Sequence, residues 1–344
     1  SVLAGLVLGL AMATKISVAP IGIAVIAAYF IYAISSPGDV LKTTKSVNAA
    51  RRGRAIVGLI FTTTIATTVF LVAQPYTLID WNTFFASISE QSEMVRGIRD
   101  YPYTRQYIDT TPYWYHIKQL ATFGLGPVTG ILAWLGLLGA TWFTAVRKRK
   151  TDLVIMAWVL PYLLLTGWFD VKFLRYLLPV TPFLILYGAR LIFWIGDSVQ
   201  RFIPLMKHTG SVLAVLALLA AMHYALAFMS IYSERHPAQD VSAFLKDNAR
   251  PGSIILKEHW EEGIPNTYGY HWRDLELYNM DSEAKFDAIS NDMAKADYLV
   301  FYSHRLYATI PRLAERYPIS TRYYGALFEG HLGYELAFVS ENTP

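Results

Sequence analysis

The 344-residue sequence contains no cysteine and little charge, and each absence excludes a class of protein. Without cysteine the chain can form neither disulfides nor thiolate metal sites. Only 16% of its residues are charged, against about 25% in soluble domains. The sequence also lacks a Walker loop, a Gly-x-Gly-x-x-Gly turn after a strand and a Gly-x-Ser-x-Gly elbow. Nucleotide-dependent chemistry is therefore not indicated, and the net charge of +4 does not indicate a nucleic-acid partner.

Long apolar runs, of about the 20 residues that cross a bilayer, predict a polytopic α-helical membrane protein. Six spans are predicted at residues 16–34, 55–73, 124–146, 153–168, 173–195 and 211–232, after at least part of another helix at 2–13. Residues 1–232 are thus predicted to form a transmembrane domain of about six or seven helices, and residues 233–344 a small α/β domain. Because Ser1 is not a start methionine and no basic segment precedes the first run, we expect the C-terminal part of a longer protein.

Basic residues between the spans predict the orientation of the chain, because cytoplasmic loops are enriched in lysine and arginine. Three loops that alternate to the same side contain such residues: Lys42, Lys45, Arg51, Arg52 and Arg54; Arg147, Lys148, Arg149 and Lys150; and Arg201 and Lys207. The opposite side then contains Lys15, the 74–119 loop, the 170–172 turn and the polar C-terminal domain. The sequence therefore predicts a multi-pass protein of the cell membrane with an extracytoplasmic C-terminal domain.

Lys15 interrupts an otherwise apolar stretch, where a charge costs a few kcal/mol or more. Lys172 and Arg175 are predicted at the same membrane face and a similar depth. Three cations at one depth suit a phosphate headgroup, because one lysine–phosphate contact near 4 Å contributes about 4 kcal/mol at an effective dielectric near 20. Arginine adds a bidentate fork. The alternative is that these side chains extend to lipid headgroups and that Asp170 pairs with Lys172.

The 74–119 loop contains a predicted helix at 81–96, followed by aromatic and hydroxyl-bearing residues. One interpretation is an interfacial loop that rests on headgroups, where aromatic residues are favoured. The other is a loop that faces the donor or the acceptor, with Arg96, Tyr103, Arg105 and Tyr107 as candidate contacts.

The polar C-terminal region predicts alternating helices and strands, at 240–248, 253–257, 282–294 and 297–302, with a further possible strand at 334–339. Asp281 and Lys285 are predicted to form a surface ion pair. The acids and histidine of residues 258–262 follow the first strand, where they could form a metal or acid–base site. Because no second histidine stands at ligand spacing, we predict no metal site among these residues. No cofactor is assigned from the sequence, and a requirement for a divalent cation is left open.

Three parts of the sequence resemble one family of membrane enzymes. Residues 3–17, which include Thr14-Lys15-Ile16-Ser17, resemble the Gly-Leu-Ala-x-x-Thr-Lys-x-Ser segment of polytopic GT-C glycosyltransferases of family 39, the protein mannosyltransferase-like group, and of the aminoarabinose-lipid transferases. Residues 172–182 resemble their later Arg-Tyr-x-x-Pro-x-x-Pro span. Residues 258–265, 296–300, 305–313 and 316–318 resemble the outer domain of large bacterial members.

The resemblance implies an enzyme that transfers a sugar from a polyprenyl-phosphate donor to a glycan, lipid or protein acceptor at the outer face of the bilayer. It gives Lys15 the contact with the carrier phosphate and makes Arg175 a candidate second contact. The family's general-base aspartate is expected upstream of this sequence. No catalytic residue is therefore assigned, and Asp80, Asp100 and Asp109 do not receive that role because they lie in a different loop.

Two other functions are compatible with the sequence. One is a non-catalytic membrane subunit or scaffold whose outer domain binds a partner. The other is a transporter, which is less favoured because the charges are predicted at one face rather than midway through the spans. The identities of the sugar and of the acceptor do not follow from the sequence.

Overall fold

A computed structural model describes residues 1–35, 45–147 and 150–343. They form two compact units, one of residues 1–99 and 109–223 and the other of residues 100–108 and 224–344. The predicted division after residue 232 did not anticipate that residues 100–108 belong to the second unit. Of the basic residues that predict orientation, Lys42, Lys148 and Arg149 lie outside the described residues, as do the side chains of Lys45, Arg147 and Lys150.

The first unit is built from helices. In chain order they are α1 (Val2–Thr14), α2 (Gly22–Ile34), α3 (Lys45–Ala73), α4 (Tyr76–Ile79), α5 (Trp81–Val95), α6 (Trp114–Gln119), α7 (Pro127–Arg147), α8 (Lys150–Trp168), α9 (Thr181–Phe202) and α10 (Thr209–Ser230), the last of which runs into the second unit. Among the described residues, five helical stretches are long and apolar enough to cross a membrane, namely Ile16–Ile34, Asn48–Ala73, Pro127–Val146, Thr181–Phe202 and Thr209–Ser230. Val2–Thr14 and Asp152–Gly167 are shorter apolar helices. By length and composition the chain is thus a helical membrane protein.

Helix α9 departs from the predicted span, because it begins at Thr181 rather than at residue 173. A 3₁₀ turn at Leu174–Leu177 precedes it. Pro179 has no backbone N–H to donate and does not fit a helix interior, whereas Pro182 fits the first turn of a helix. The two prolines therefore leave Lys172 and Arg175 in an irregular segment before the span.

Helices α1 and α3 approach closely through two glycines spaced four residues apart. A Cβ atom on Gly5 would lie 2.7 Å from the carbonyl oxygen of Thr62, and one on Gly9 would lie 2.5 Å from that of Ala66. Such small-residue pairs let membrane helices pack backbone to backbone. The contact fixes α1 against α3 and thereby positions Lys15 at the end of α1.

The core of the first unit lies among α7, α8 and α9. Trp158 of α8 and Tyr187 of α9 are almost fully buried there, together with Ala133 of α7 and Leu184 of α9. The large rings fill the space between the helices, while many other apolar side chains of these helices point outward. This arrangement matches helices that have lipid as their solvent.

The second unit combines helices with a small parallel sheet. It comprises α11 (Pro237–Asn248), β1 (Ile254–Glu258), β2 (His271–Leu275), α12 (Glu283–Met293), β3 (Tyr298–Val300) and α13 (Pro318–Phe328). The three strands are parallel in the order β2-β1-β3, and Ile255 at the centre is in register with Trp272 and Tyr298. Residues 334–339, predicted as a possible strand, form none, and β2 and α13 were not predicted.

The Asp281–Lys285 ion pair is present but buried, contrary to the predicted surface position. Lys285 Nζ lies 2.8 Å from Asp281 Oδ1, and the two side chains are only 8% and 5% exposed. Asp281 Oδ2 accepts hydrogen bonds from the amides of Ile319 (2.7 Å) and Ser320 (3.0 Å) at the start of α13. The pair is buried because it joins α12 to α13, a helix that the sequence analysis did not predict.

Candidate functional site

Lys15 and Arg175, distant in sequence, meet at one aromatic ring in the first unit. The Lys15 ammonium lies 5.6 Å from the centroid of the Tyr176 ring, and the Arg175 guanidinium carbon lies 5.9 Å from the same centroid. Both side chains are exposed. In the part of the chain that the structure describes, neither forms an ion pair with an acidic residue. The two cations are therefore available to a ligand.

Local structure explains how each cation reaches this place. Helix α1 ends at Thr14, and Lys15 turns to an extended conformation. The Gln74 side chain donates to the carbonyl of Ala13 at 2.8 Å and ties down the helix end. The guanidinium carbon of Arg175 lies 3.9 Å from the centroid of the Phe173 ring, so a cation–π contact holds this side chain.

Lys172 occupies a different environment from the other two predicted phosphate ligands. Its residue is only 3% exposed, and Nζ donates to the backbone carbonyl of Asp170 at 3.0 Å. Burial lowers the pKa of Lys172, and the charge of Asp170 partly offsets this effect. Lys172 is therefore buried and held by the backbone of Asp170, whereas Lys15 and Arg175 are exposed.

His116 of α6, which the sequence analysis missed, lies near Lys172. It is 3% exposed, and neither of its ring nitrogens has a hydrogen-bond partner among the described residues. Burial, reinforced by the positive charge of Lys172, lowers the pKa of His116 to about 4. The imidazole is thus neutral at physiological pH. A lone histidine in an aromatic stretch gives no sequence signal for such a site.

The candidate residues of the 74–119 loop divide between the two units. Arg105 and Tyr107 are buried in the second unit. Arg105 forms a two-pronged ion pair with Asp100 at 3.1 and 2.9 Å, donates to the carbonyl of Tyr278 at 3.0 Å and hydrogen-bonds the hydroxyl of Tyr317. The Arg105 hydrogen bond lowers the pKa of Asp100. These contacts make Arg105 an anchor of its segment in the second unit.

The other two candidate residues of the 74–119 loop are Tyr103 and Arg96. The Tyr103 ring stacks on Tyr101 at a centroid distance of 5.4 Å. Arg96, in the first unit, is exposed, and its Nε donates to the carbonyl of Ser92 at 3.1 Å. A role for either residue in binding donor or acceptor stays a prediction.

The acidic segment that begins with Glu258, the last residue of β1, is held by internal contacts of the second unit. Glu258 is fully buried; Oε1 accepts a hydrogen bond from the Tyr324 hydroxyl, while Oε2 has no partner among the described residues. Burial raises the pKa of Glu258 to about 8. Glu261 accepts from Ser303 at 2.7 Å, and His259 Nδ1 donates to the carbonyl of Leu275 at 2.9 Å. Over residues 1–35, 45–147 and 150–343, no group of three or more His, Asp or Glu side chains is placed to hold a metal ion.

A further charged pair lies among the apolar helices of the first unit and was not predicted. Arg190 of α9 donates to Asp152 of α8 at 2.6 Å. Charges within spans face the protein interior and pair with one another, as these two do. Because each neutralises the other, the pair offers a ligand less charge than Lys15 and Arg175 do.

Comparisons with protein-family models, curated proteins and solved structures find no match to this chain.

Proposed function

We propose that this chain belongs to a membrane glycosyltransferase that moves a sugar from a polyprenyl-phosphate donor to an acceptor at the outer face of the bilayer. The observation that supports it is the meeting of Lys15 and Arg175 at Tyr176. The resemblance of residues 3–17 and 172–182 to GT-C enzymes selects the same two cations. Acceptors of this reaction class include glycans, lipids and proteins.

The chemistry explains why two exposed cations are useful. In the transfer, the bond between the anomeric carbon and the phosphate oxygen breaks while an acceptor oxygen bonds to that carbon. The acceptor hydroxyl loses its proton to a general base, a role that the resemblance assigns to no residue of this sequence. The bonding electrons remain on the carrier phosphate, whose negative charge increases. Lys15 and Arg175, fixed beside Tyr176, would stabilise that charge more in the transition state than in the ground state.

The test is the variant Lys15→Met, assayed for sugar transfer in native membranes and for binding of undecaprenyl phosphate in nanodiscs. One charge-assisted hydrogen bond contributes about 1.5–3 kcal/mol, so we expect phosphate affinity to fall roughly tenfold to a hundredfold. Sugar transfer should be abolished while expression is unchanged. Lys246→Met, at an exposed position of α11, is the matched control and should behave as wild type.

Normal transfer and normal phosphate binding by Lys15→Met would contradict the proposal. That outcome would favour the non-catalytic subunit, in which Lys15 only reaches toward lipid headgroups.

A further inference from the structure

The parallel sheet of the second unit has a topological switch point between β1 and β3. The strand order is β2-β1-β3, so the chain leaves β1 toward one edge of the sheet and later returns to the other. Ile264, in the loop after β1, packs on the face that α11 covers, whereas Leu306, in the loop after β3, packs on the face that α12 covers. The two loops therefore separate at the carboxyl ends of β1 and β3, which is where open parallel sheets bind ligands.

Hydrogen bonds join the two loops at this switch point. The Ser303 hydroxyl donates to Glu261 Oε1 at 2.7 Å, and the Arg305 guanidinium donates to the carbonyl of Trp260 at 2.8 Å. From within β1, Lys257 Nζ donates to the carbonyl of Glu261 at 3.0 Å. The backbone on either side of the Trp260–Glu261 peptide bond is thus held by other parts of the second unit.

Trp260 is held there in a strained conformation with its ring accessible. Its φ of +68° lies in the left-handed region, which a residue with a bulky side chain rarely adopts. Yet the residue is 55% exposed, so the strain does not serve to bury the ring. Backbone strain of this kind persists only where the surrounding structure enforces it, and it is concentrated at functional sites. The clamped loops therefore present the indole ring to a ligand.

The charges around Trp260 limit the chemistry of that ligand. Residues 260–262 and 303–305 are together called the Trp260 edge. Its exposed side chains besides the indole are Glu262, His304 and Arg305, so both signs of charge are present. Carboxylates would repel a phosphate, and no glycine-rich loop follows β1 to hold one. A lipid surface binds apolar faces with basic borders rather than one ring beside an acid. The edge therefore suits a ligand that is neutral and polar.

A sugar ring has the groups that match this edge. One face of a pyranose presents C–H bonds, whose partial positive charge is attracted to the negative face of an aromatic ring. Its hydroxyl groups both donate and accept, so a carboxylate can accept from them while a guanidinium donates to them. Because the indole is exposed rather than enclosed, the edge can accept a unit within a longer chain of sugars.

We propose that the Trp260 edge binds a neutral glycan chain, with the indole ring stacked on one sugar. Glu262, His304 and Arg305 then form hydrogen bonds with the hydroxyl groups of that glycan. The identification of this glycan as the acceptor of the transfer rests on the proposed function, whereas the binding itself does not.

The experiment measures binding of cellohexaose, mannohexaose and chitohexaose to the full chain in nanodiscs by titration calorimetry, without turnover. Wild type should bind at least one of these glycans. Trp260→Gly removes the ring and also relieves the strain, because glycine adopts a positive φ freely. Loss of a tryptophan at the centre of a contact weakens binding by roughly tenfold or more, and we expect that loss here. The melting temperature of the second unit should not fall, since a strained residue has been removed.

Two further variants separate the role of the ring from other effects. Trp260→Phe keeps both an aromatic ring and the backbone strain, so it should retain part of the glycan affinity. Tyr268→Ala removes another exposed ring of the second unit, one that is 94% exposed. This variant is the matched control and should bind the glycans as wild type does.

The outcomes separate this inference from the proposed function. If wild type binds none of the three glycans, or if Trp260→Gly binds them as tightly as wild type, the glycan site is wrong. A lower melting temperature of the second unit in Trp260→Gly would show that the ring stabilises the fold, and would also overturn the proposal. Binding of undecaprenyl phosphate should be equal in wild type and Trp260→Gly, so failure of the glycan site leaves the phosphate role of Lys15 and Arg175 standing.

Discussion

The two units of the molecule both bury large rings, but they differ in their apolar surfaces and in how charged side chains are held. In the first unit, the apolar window of the helical stretch Ile16–Ile34 has no buried residue, and helices α1 and α3 meet through glycines. In the second unit, rings such as Tyr317 and Tyr324 are fully buried, and the buried Arg105 is held by hydrogen bonds to Asp100 and Tyr278. With lipid as solvent, exposed apolar groups cost nothing and close backbone contact stabilises. In water, the core must be apolar and any buried charge must be paired.

This comparison predicts that the second unit loses most stability when one partner of a buried ion pair is removed. Asp281→Ala deletes the partner of buried Lys285 and the acceptor for the first amides of α13. Breaking a buried pair in this way costs about 3–5 kcal/mol. We expect a lower melting temperature of the second unit and faster hydrogen exchange throughout α13, measured on the full chain.

Asp287→Ala is the matched control, because this acid of α12 is exposed and should change stability little. Unchanged exchange of the α13 amides in Asp281→Ala would show that the buried pair does not stabilise the second unit.

The next largest effect is a pH dependence confined to the second unit. Burial raises the pKa of Glu258 from 4.5 to about 8, so the folded state keeps a proton that the unfolded state releases between these values. The neutral carboxyl of Glu258 therefore makes its full contribution to the stability of the second unit below pH 4.5. This contribution is lost as the pH rises toward 8. At about 1.36 kcal/mol per pH unit, the loss from pH 5 to pH 8 is on the order of 3 kcal/mol.

Glu258→Gln, which keeps a neutral side chain of similar shape, should abolish most of this dependence. The free energy of unfolding of the second unit, followed by hydrogen exchange at several pH values, provides the measurement. A stability that rises over the same range in the wild type would contradict the assignment of a neutral buried carboxyl.

The smallest expected loss of stability is in the first unit. It comes from a larger side chain at a helix contact rather than from the loss of a charge. Gly9→Val places a side chain against the carbonyl of Ala66, and overpacking of this kind costs about 1–3 kcal/mol. Because Lys15 directly follows the end of α1, we also expect weaker binding of undecaprenyl phosphate. Gly53→Val in α3 is the control, since no atom of the described residues lies within 4 Å of the added Cβ. Equal carrier affinity in both variants would mean that α1 packing does not position Lys15.

The sequence predicted the helices and strands that depend mainly on residues close together in the chain. Apolar length indicated the long helices, and the local sequence also explains the start of α12, where Ser282 accepts from the Lys285 amide. Strand β2 was missed because His271, Arg273 and Asp274 make it look like a loop; its place is set by pairing with β1. Residues 334–339 alternate like a strand, but they pair with none.

For the candidate site residues too, only features with a local cause could be predicted from the sequence. Lys15 and Arg175 stand out because each is a charge next to an apolar run. The role of Arg105 could not be read locally, since Tyr278 and Tyr317, which hold it, lie far away in sequence. His116 gave no signal either, because what distinguishes it is burial near Lys172 and the lack of a hydrogen-bond partner within the described part of the chain. Tertiary contacts, not residue types, determine these two environments.

The central claim is that Lys15 and Arg175 bind one phosphate, and a structure of the protein with undecaprenyl phosphate bound tests it most directly. We predict that the phosphate lies beside Tyr176, with its oxygens in hydrogen-bonding contact with Lys15 Nζ and the Arg175 guanidinium. A phosphate bound elsewhere, with both side chains directed toward bulk headgroups, would contradict the account.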